Sequence, residues 1–117
     1  MKFDIRERAK KFAIRIILFT KKLPKDVSGY ELGKQLIRSG TSIGANLEEA
    51  DAASSRKDFF HKVSISYKEA KESRYWLELI IESGVLHNEA NIKGAEGLKQ
   101  EALELSKILF SIISKKQ

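Results

Sequence analysis

Two histidines, His61 and His87, and the 16 acidic residues are the groups with which this chain could do acid–base or metal chemistry. A helical bundle holds two metal ions when inward-facing helices supply Glu-x-x-His pairs and further glutamates. Asp58 and His61 have that i, i+3 spacing, but no second pair accompanies them, and His87 falls in an expected loop. The neighbours Glu48 and Glu49 point about 100° apart on a helix, which suits surface charge better than a carboxylate pair. Serines are plentiful, so a serine near either histidine carries no triad signal. The chain has no cysteine, which excludes a disulfide framework and any Cys-ligated zinc or iron–sulfur centre. No catalytic, cofactor-binding or metal-ligating residue is assigned, and no enzyme activity is expected.

The stretch Ser39–Ala50, "SGTSIGANLEEA", has the small and hydroxyl residues of a phosphate-cradling loop. It lacks the Gly-Lys-Ser/Thr ending of a P-loop, and no strand pattern precedes it. Gly33, Gly40 and Gly44 instead fall close together on a helical wheel, beside a leucine stripe. Helix-interior glycines cost roughly 1 kcal/mol each relative to alanine, a cost that a closely packed neighbouring helix offsets. Ser66, Ala70 and Ser73 form the small-residue surface expected to face them.

These residues sit on four periodic segments. The first runs from about Asp4 to Leu23, with Ile5, Ala9, Phe12, Ile16, Phe19 and Leu23 on one face. Pro24 and Gly29 break the pattern, and Ser28 is the expected N-cap of the second segment, with Glu31 completing a capping box. That segment runs from about Gly29 to Asp51, with Leu32, Leu36, Ile43, Leu47 and Ala50 inward. The third runs from about Ser55 to Ser83 and carries Phe59, Val63, Ser66, Ala70, Ser73, Leu77 and Ile80. Ser55 is its expected cap and Gly84 its stop. Asn88 caps the fourth, which runs to about Ser114 with Leu98, Ala102, Leu105, Leu109 and Ile112 inward. No segment alternates with a period of two. The expected fold is all-α: an up-down-up-down antiparallel four-helix bundle, one domain over residues 1–117.

The 22 Lys and Arg residues outnumber the acids and give a net charge of +6, so an anionic partner is plausible. Arg8, Lys11, Arg15 and Lys22 project within about 60° of one another on the first helix. Lys34 and Arg38 of the second helix are expected to add to this row. Such a row suits sequence-tolerant phosphate contact. Arg38, Ser42, Asn46 and Glu49 line one side of the second helix, and Glu69 and Glu72 lie on a flank of the third beside Trp76. These six form an expected structural polar network, because buried polar groups need partners. Lys68 with Glu72, and Arg74 with Glu78, have the spacing of ordinary helix-surface pairs. Ile14, Ile17, Leu18, Leu103 and Phe110 point away from the core stripes and are expected at an oligomer interface. The burst "IRIILF" is too short to span a bilayer, and "MKFDIRERAKKF" lacks the apolar core of a signal peptide. No membrane association is expected, and the location is read as cytoplasmic.

The run Thr41–Asn46, the start Asp58-Phe59-Phe60, and Lys68-Glu69-Ala70 leading to Tyr75-Trp76-Leu77 resemble the bacterial four-helix-bundle family of the 23S rRNA intervening sequence protein. The resemblance covers nearly the whole chain and is most specific from Ser39 to Ile80. Some members carry proline at Gly44 and a Glu-Gly pair near Glu48–Glu49; this chain follows the branch with glycine and Glu-Ala. The family is similar to the accessory variability determinant of diversity-generating retroelements, a basic pentameric bundle that associates with a reverse transcriptase and nucleic acid. The resemblance implies a four-helix bundle, a homopentamer and an RNA-related role, without known catalysis or cofactor. RNA, or a nucleic-acid enzyme, is the implied partner. The alternative is an oligomeric scaffold for a protein partner, its positive charge incidental.

Overall fold

The computed structural model describes residues 3–116. Four helices build it: α1 (Phe3–Thr20), α2 (Val27–Asp51), α3 (Arg56–Glu82) and α4 (Glu89–Ile113). Across each interface the residue numbers run in opposite directions. Ser66 meets Ile43 while Ser73 meets Ser39; Ala9 faces Gly44 while Ile16 faces Gly40. Arg8 meets Glu101 while Arg15 reaches Gly97, and Tyr67 meets Phe110 while Arg56 reaches Lys115. Helices pack α1 on α2, α2 on α3, α3 on α4 and α4 on α1, with no diagonal contact among the described residues. This is an up-down-up-down antiparallel bundle, 46 Å long and 20 Å across.

Local chemistry sets the helix ends. Ser55 accepts from the Asp58 amide and Asn88 from the Asn91 amide, each satisfying a first-turn donor. Gly84 takes a positive φ of 76° after α3, where a side chain would be strained. Two boundaries differ from expectation. The regular helix of α1 ends at Thr20, and Leu23 follows in a run of turns while remaining buried. The N-cap of α2 is Asp26 rather than Ser28, its carboxylate accepting from the Gly29 amide at 2.9 Å. Ser28 lies inside the first turn. The reason is steric. A Cβ at Gly29 would sit 1.7 Å from the Pro24 carbonyl oxygen, so the chain folds back tightly and the helix begins before the serine.

The apolar stripes meet as the spacing requires. Phe12, Ile16, Leu36, Ile43, Leu47, Leu77, Ile80, Leu105 and Leu109 are fully buried. On α3, Phe60 is the more buried of the aromatic pair, while Phe59 packs edge-on to it at 5.1 Å and stays half-buried. The glycines of α2 do pack closely, but on α1 and not on α3. A Cβ at Gly40 would meet Ile16 at 3.0 Å, one at Gly33 would meet Leu23 at 3.3 Å, and one at Gly44 would meet Ala9 at 3.6 Å. The small residues of α3 face α2 through its other flank. Ser66 donates to the Ile43 carbonyl at 2.7 Å, and Ser73 donates to Ser39 Oγ at 2.8 Å, which in turn reaches the Leu36 carbonyl.

The glycines therefore divide by function. Gly29→Ala is expected to lower stability by about 1–3 kcal/mol, because the Pro24 backbone must move. A Cβ at Gly94 would touch nothing within 4 Å, so Gly94→Ala should raise stability by about 0.5–1 kcal/mol. Urea unfolding of the two variants measures both.

Candidate nucleic-acid interface

Each expected site residue has a definite place in the bundle. Arg8 turns across the α1–α4 groove and grips Glu101 with two hydrogen bonds, Nε at 3.0 Å and Nη2 at 2.7 Å. Lys11 and Arg15 follow on the same side of α1 and are exposed; Lys22 is exposed in the turn beyond the end of α1, where the helical spacing that put it in this row no longer holds. No carboxylate among the described residues pairs with these three. The side chain of Asp4, the acid nearest this row in sequence, lies outside the described residues. Arg15 reaches over Gly97 of α4, its Nη2 3.6 Å from the point where a side chain there would begin. Gly94 leaves the neighbouring wall bare as well.

The two cations of α2 do not join this row. Lys34 lies on the outer side of α2 with Glu31, 3.9 Å away. Arg38 turns toward α3, the opposite side of the bundle from the α1–α4 groove. It bonds Glu72, lies 3.8 Å from Glu69, and donates to Gln35 on its own helix. Glu72 is therefore taken by Arg38 and not by Lys68, whereas Arg74 and Glu78 approach to 3.8 Å as their spacing predicts.

On the exposed side of the α2–α3 seam, ion pairs cross at both ends and local bonds lie between. Arg38 with Glu69 and Glu72 forms one end, and Glu49 with Lys62 at 2.7 Å forms the other. Ser42 donates to the Arg38 carbonyl and Asn46 to the Ser42 carbonyl, so both bond back onto α2. Partial burial and the adjacent Glu72 push the Glu69 carboxyl above its ordinary value, against the pull of Arg38. The hydrogen bond and charge of Glu49 hold the Lys62 ammonium above its own.

The outward apolar residues form two separate patches. Ile14, Ile17 and Leu18 are 49%, 42% and 54% exposed on the outer face of α1. Ile37 of α2 is also exposed. Leu103 and Phe110 lie on the α3 side of α4, Leu103 half-buried and Phe110 exposed. Phe110 leans on Tyr67 at 5.8 Å, and together with Ser106 and Lys107 they line an open groove of about 300 Å³. Sequence periodicity singled out Phe110 but not Tyr67, because Tyr67 lies beside the core stripe and becomes notable only once α4 is in place. The clamp of Arg6 on Glu48 and Asp51 was equally hidden, since its partners are more than forty residues apart. No group of three or more His, Asp or Glu side chains among the described residues could hold a metal ion. No helix among the described residues is long and apolar enough to cross a membrane.

The seam generates a pH-dependent prediction. A folded-state carboxyl pKa above the unfolded value means that the native protein binds that proton more tightly. Glu69 then lowers stability as pH rises through its raised pKa and stops doing so in acid. Glu69→Gln cannot ionise, so it should gain stability on the native chain as pH is raised from about 4 to about 7. Denaturant midpoints at the two pH values test the sign.

Comparison with known proteins follows the fold. A crystal structure of a protein of unknown function from the S23 ribosomal protein family, from Bacteroides thetaiotaomicron, superposes with a TM-score of 0.83. It is 39% identical, over 93% of this chain and 97% of that one. No curated protein matches the chain. The profile of the 23S rRNA-intervening sequence protein matches residues 1–111. The match spans nearly the full length of the bundle, and the chain belongs to the 23S rRNA-intervening sequence protein family.

Proposed function

We propose that this protein is a non-enzymatic, self-associating cytoplasmic bundle that contacts RNA through phosphates. The observation that carries the reading is the row Lys11, Arg15 and Lys22. Three exposed cations, two on α1 and one in the turn just beyond it, stand without a carboxylate partner among the described residues. Most other cations near a helix interface are neutralised: Arg6 by Glu48 and Asp51, Arg8 by Glu101, Arg38 by Glu69 and Glu72, Lys62 by Glu49. Phosphate contact requires the unneutralised kind, because each cation must displace counterions from the nucleic acid. The family's name, which ties it to 23S rRNA, agrees with this partner class. Arg8 then positions the row by fixing α1 against α4, and Arg38 serves the α2–α3 seam.

Self-association supplies repetition. The Ile14, Ile17 and Leu18 patch gives α1 an apolar face adjoining its cationic one, and contiguous exposed apolar area marks an interface. A homo-oligomer, with a pentamer as the implied form, presents the row several times to one RNA and gains by avidity. The same patch favours the second reading, a scaffold for a protein partner.

Salt separates the two. Anisotropy of a labelled structured RNA should report binding that weakens by orders of magnitude between about 50 and 200 mM salt. Each of Lys11→Ala, Arg15→Ala and Lys22→Ala should weaken binding to all sequences alike and lower the salt slope by about 1. No binding at the lower salt would overturn the RNA reading and leave the scaffold.

A further inference from the structure

The groove between α3 and α4 combines features that neither the core nor the cation row accounts for. Phe110 is 57% exposed, although a phenylalanine on a bundle surface loses the stabilisation its burial would give. One side of its ring leans on Tyr67 with an interplanar angle of 44°, which leaves the rest open to the groove. Lys71 Nζ stands 5.6 Å over the Tyr67 ring, and Lys107 lines the groove directly. No carboxylate lines it. Ser106, the one hydroxyl besides that of Tyr67, donates to the Leu103 carbonyl of its own helix. The site thus offers aromatic surface and positive charge, with no fixed set of donors and acceptors to read a base edge.

That combination is complementary to one kind of occupant. Unpaired nucleobases stack on exposed aromatic side chains whatever their identity, while nearby cations hold the flanking phosphates. An apolar peptide would use the rings but would leave the lysines without a counter-charge. A duplex would offer phosphates but no free base face. We propose that the groove seats one unpaired base of a single-stranded RNA against Phe110, with Lys107 and Lys71 facing the adjoining phosphates. This rests on the RNA reading above and deepens it: phosphate contact on α1 gives general affinity, and the groove selects single-stranded segments. Only α4 separates this groove from the α1–α4 groove. The proposal also removes Phe110 from the self-contact surface and leaves that role to the α1 patch.

Two short fluorescein-labelled probes with equal phosphate number, an oligouridylate and an abasic strand, test it by anisotropy at about 50 mM salt. The native protein should bind the oligouridylate about tenfold tighter than the abasic strand, the scale of one stacked base. Phe110→Leu keeps an apolar side chain but removes the ring; it should erase that preference and leave abasic binding unchanged, while Phe110→Tyr restores it. Equal binding of both probes to the native protein overturns the stacking site and leaves the phosphate reading standing. So does a Phe110→Leu variant that keeps the preference. A Phe110→Leu variant that changes oligomeric mass and weakens both probes alike also overturns it, returning Phe110 to a subunit contact. Failure of both probes to bind the native protein overturns this proposal, and the structured-RNA titration then decides separately whether the phosphate reading survives.

Discussion

The close approach of α2 to both its neighbours is the constraint on which the rest of the bundle depends. One flank of α2 is glycine, at positions 33, 40 and 44, and Ile16 and Ala9 of α1, with Leu23 just beyond it, fill the space. The other flank is closed by buried hydroxyls, Ser66 to the Ile43 carbonyl and Ser73 to Ser39. Both arrangements are demanding in the same way. A glycine in mid-helix is costly unless something packs over it, and a buried hydroxyl is costly unless it is bonded. Each therefore penalises any register but the native one. With α2 fixed on both sides, α1 and α3 are fixed as well, and α4 closes the ring.

That geometry also decides where charge remains. Wherever two helices are drawn close, long basic side chains reach acids on the next helix, as Arg6 does to Asp51 and Lys62 to Glu49. Exposed pairs of this kind contribute little to stability. Their greater effect is to remove those cations from the field seen by a distant anion. Along α1 the pairing stops after Arg8, because α4 presents Gly97 and Gly94 where acids could have stood. The net charge of +6 is not confined to this row, since lysines such as Lys10, Lys57 and Lys99 also stand outside the ion pairs of the described residues. Composition reveals the excess but not its distribution.

The fold was legible in the sequence because helical periodicity is a local signal. The stripes Ile5–Phe19 and Leu98–Leu109 and the caps Ser55 and Asn88 lie where spacing put them. The misreadings share one cause, which is that the sequence does not say which helix faces which. Three glycines announced close packing, yet α1 and not α3 was the neighbour. Spacing pointed to Ser28 as the cap of α2, but with the Pro24 carbonyl pressed against Gly29 the helix begins earlier and Asp26 caps it. The candidate site was less legible for the same reason. A wheel places Arg8 beside Lys11 and Arg15, but only the position of Glu101, ninety-three residues away, removes Arg8 from the free set. Tyr67 acquires meaning only from Phe110, and Arg38 only from Glu69 and Glu72.

Under the proposed function, RNA touches the cations Lys11, Arg15 and Lys22 and the aromatic groove between α3 and α4, and leaves the α2–α3 seam alone. Photocrosslinking of a thiouridine-substituted RNA, with the attached peptides identified by mass spectrometry, addresses this directly. Crosslinks are expected between Lys11 and Lys22, in α1 and the turn that follows it, and at the segments holding Tyr67 and Phe110. Crosslinks concentrated on the seam around Arg38, Asn46 and Glu49, or none above background at low salt, would contradict it.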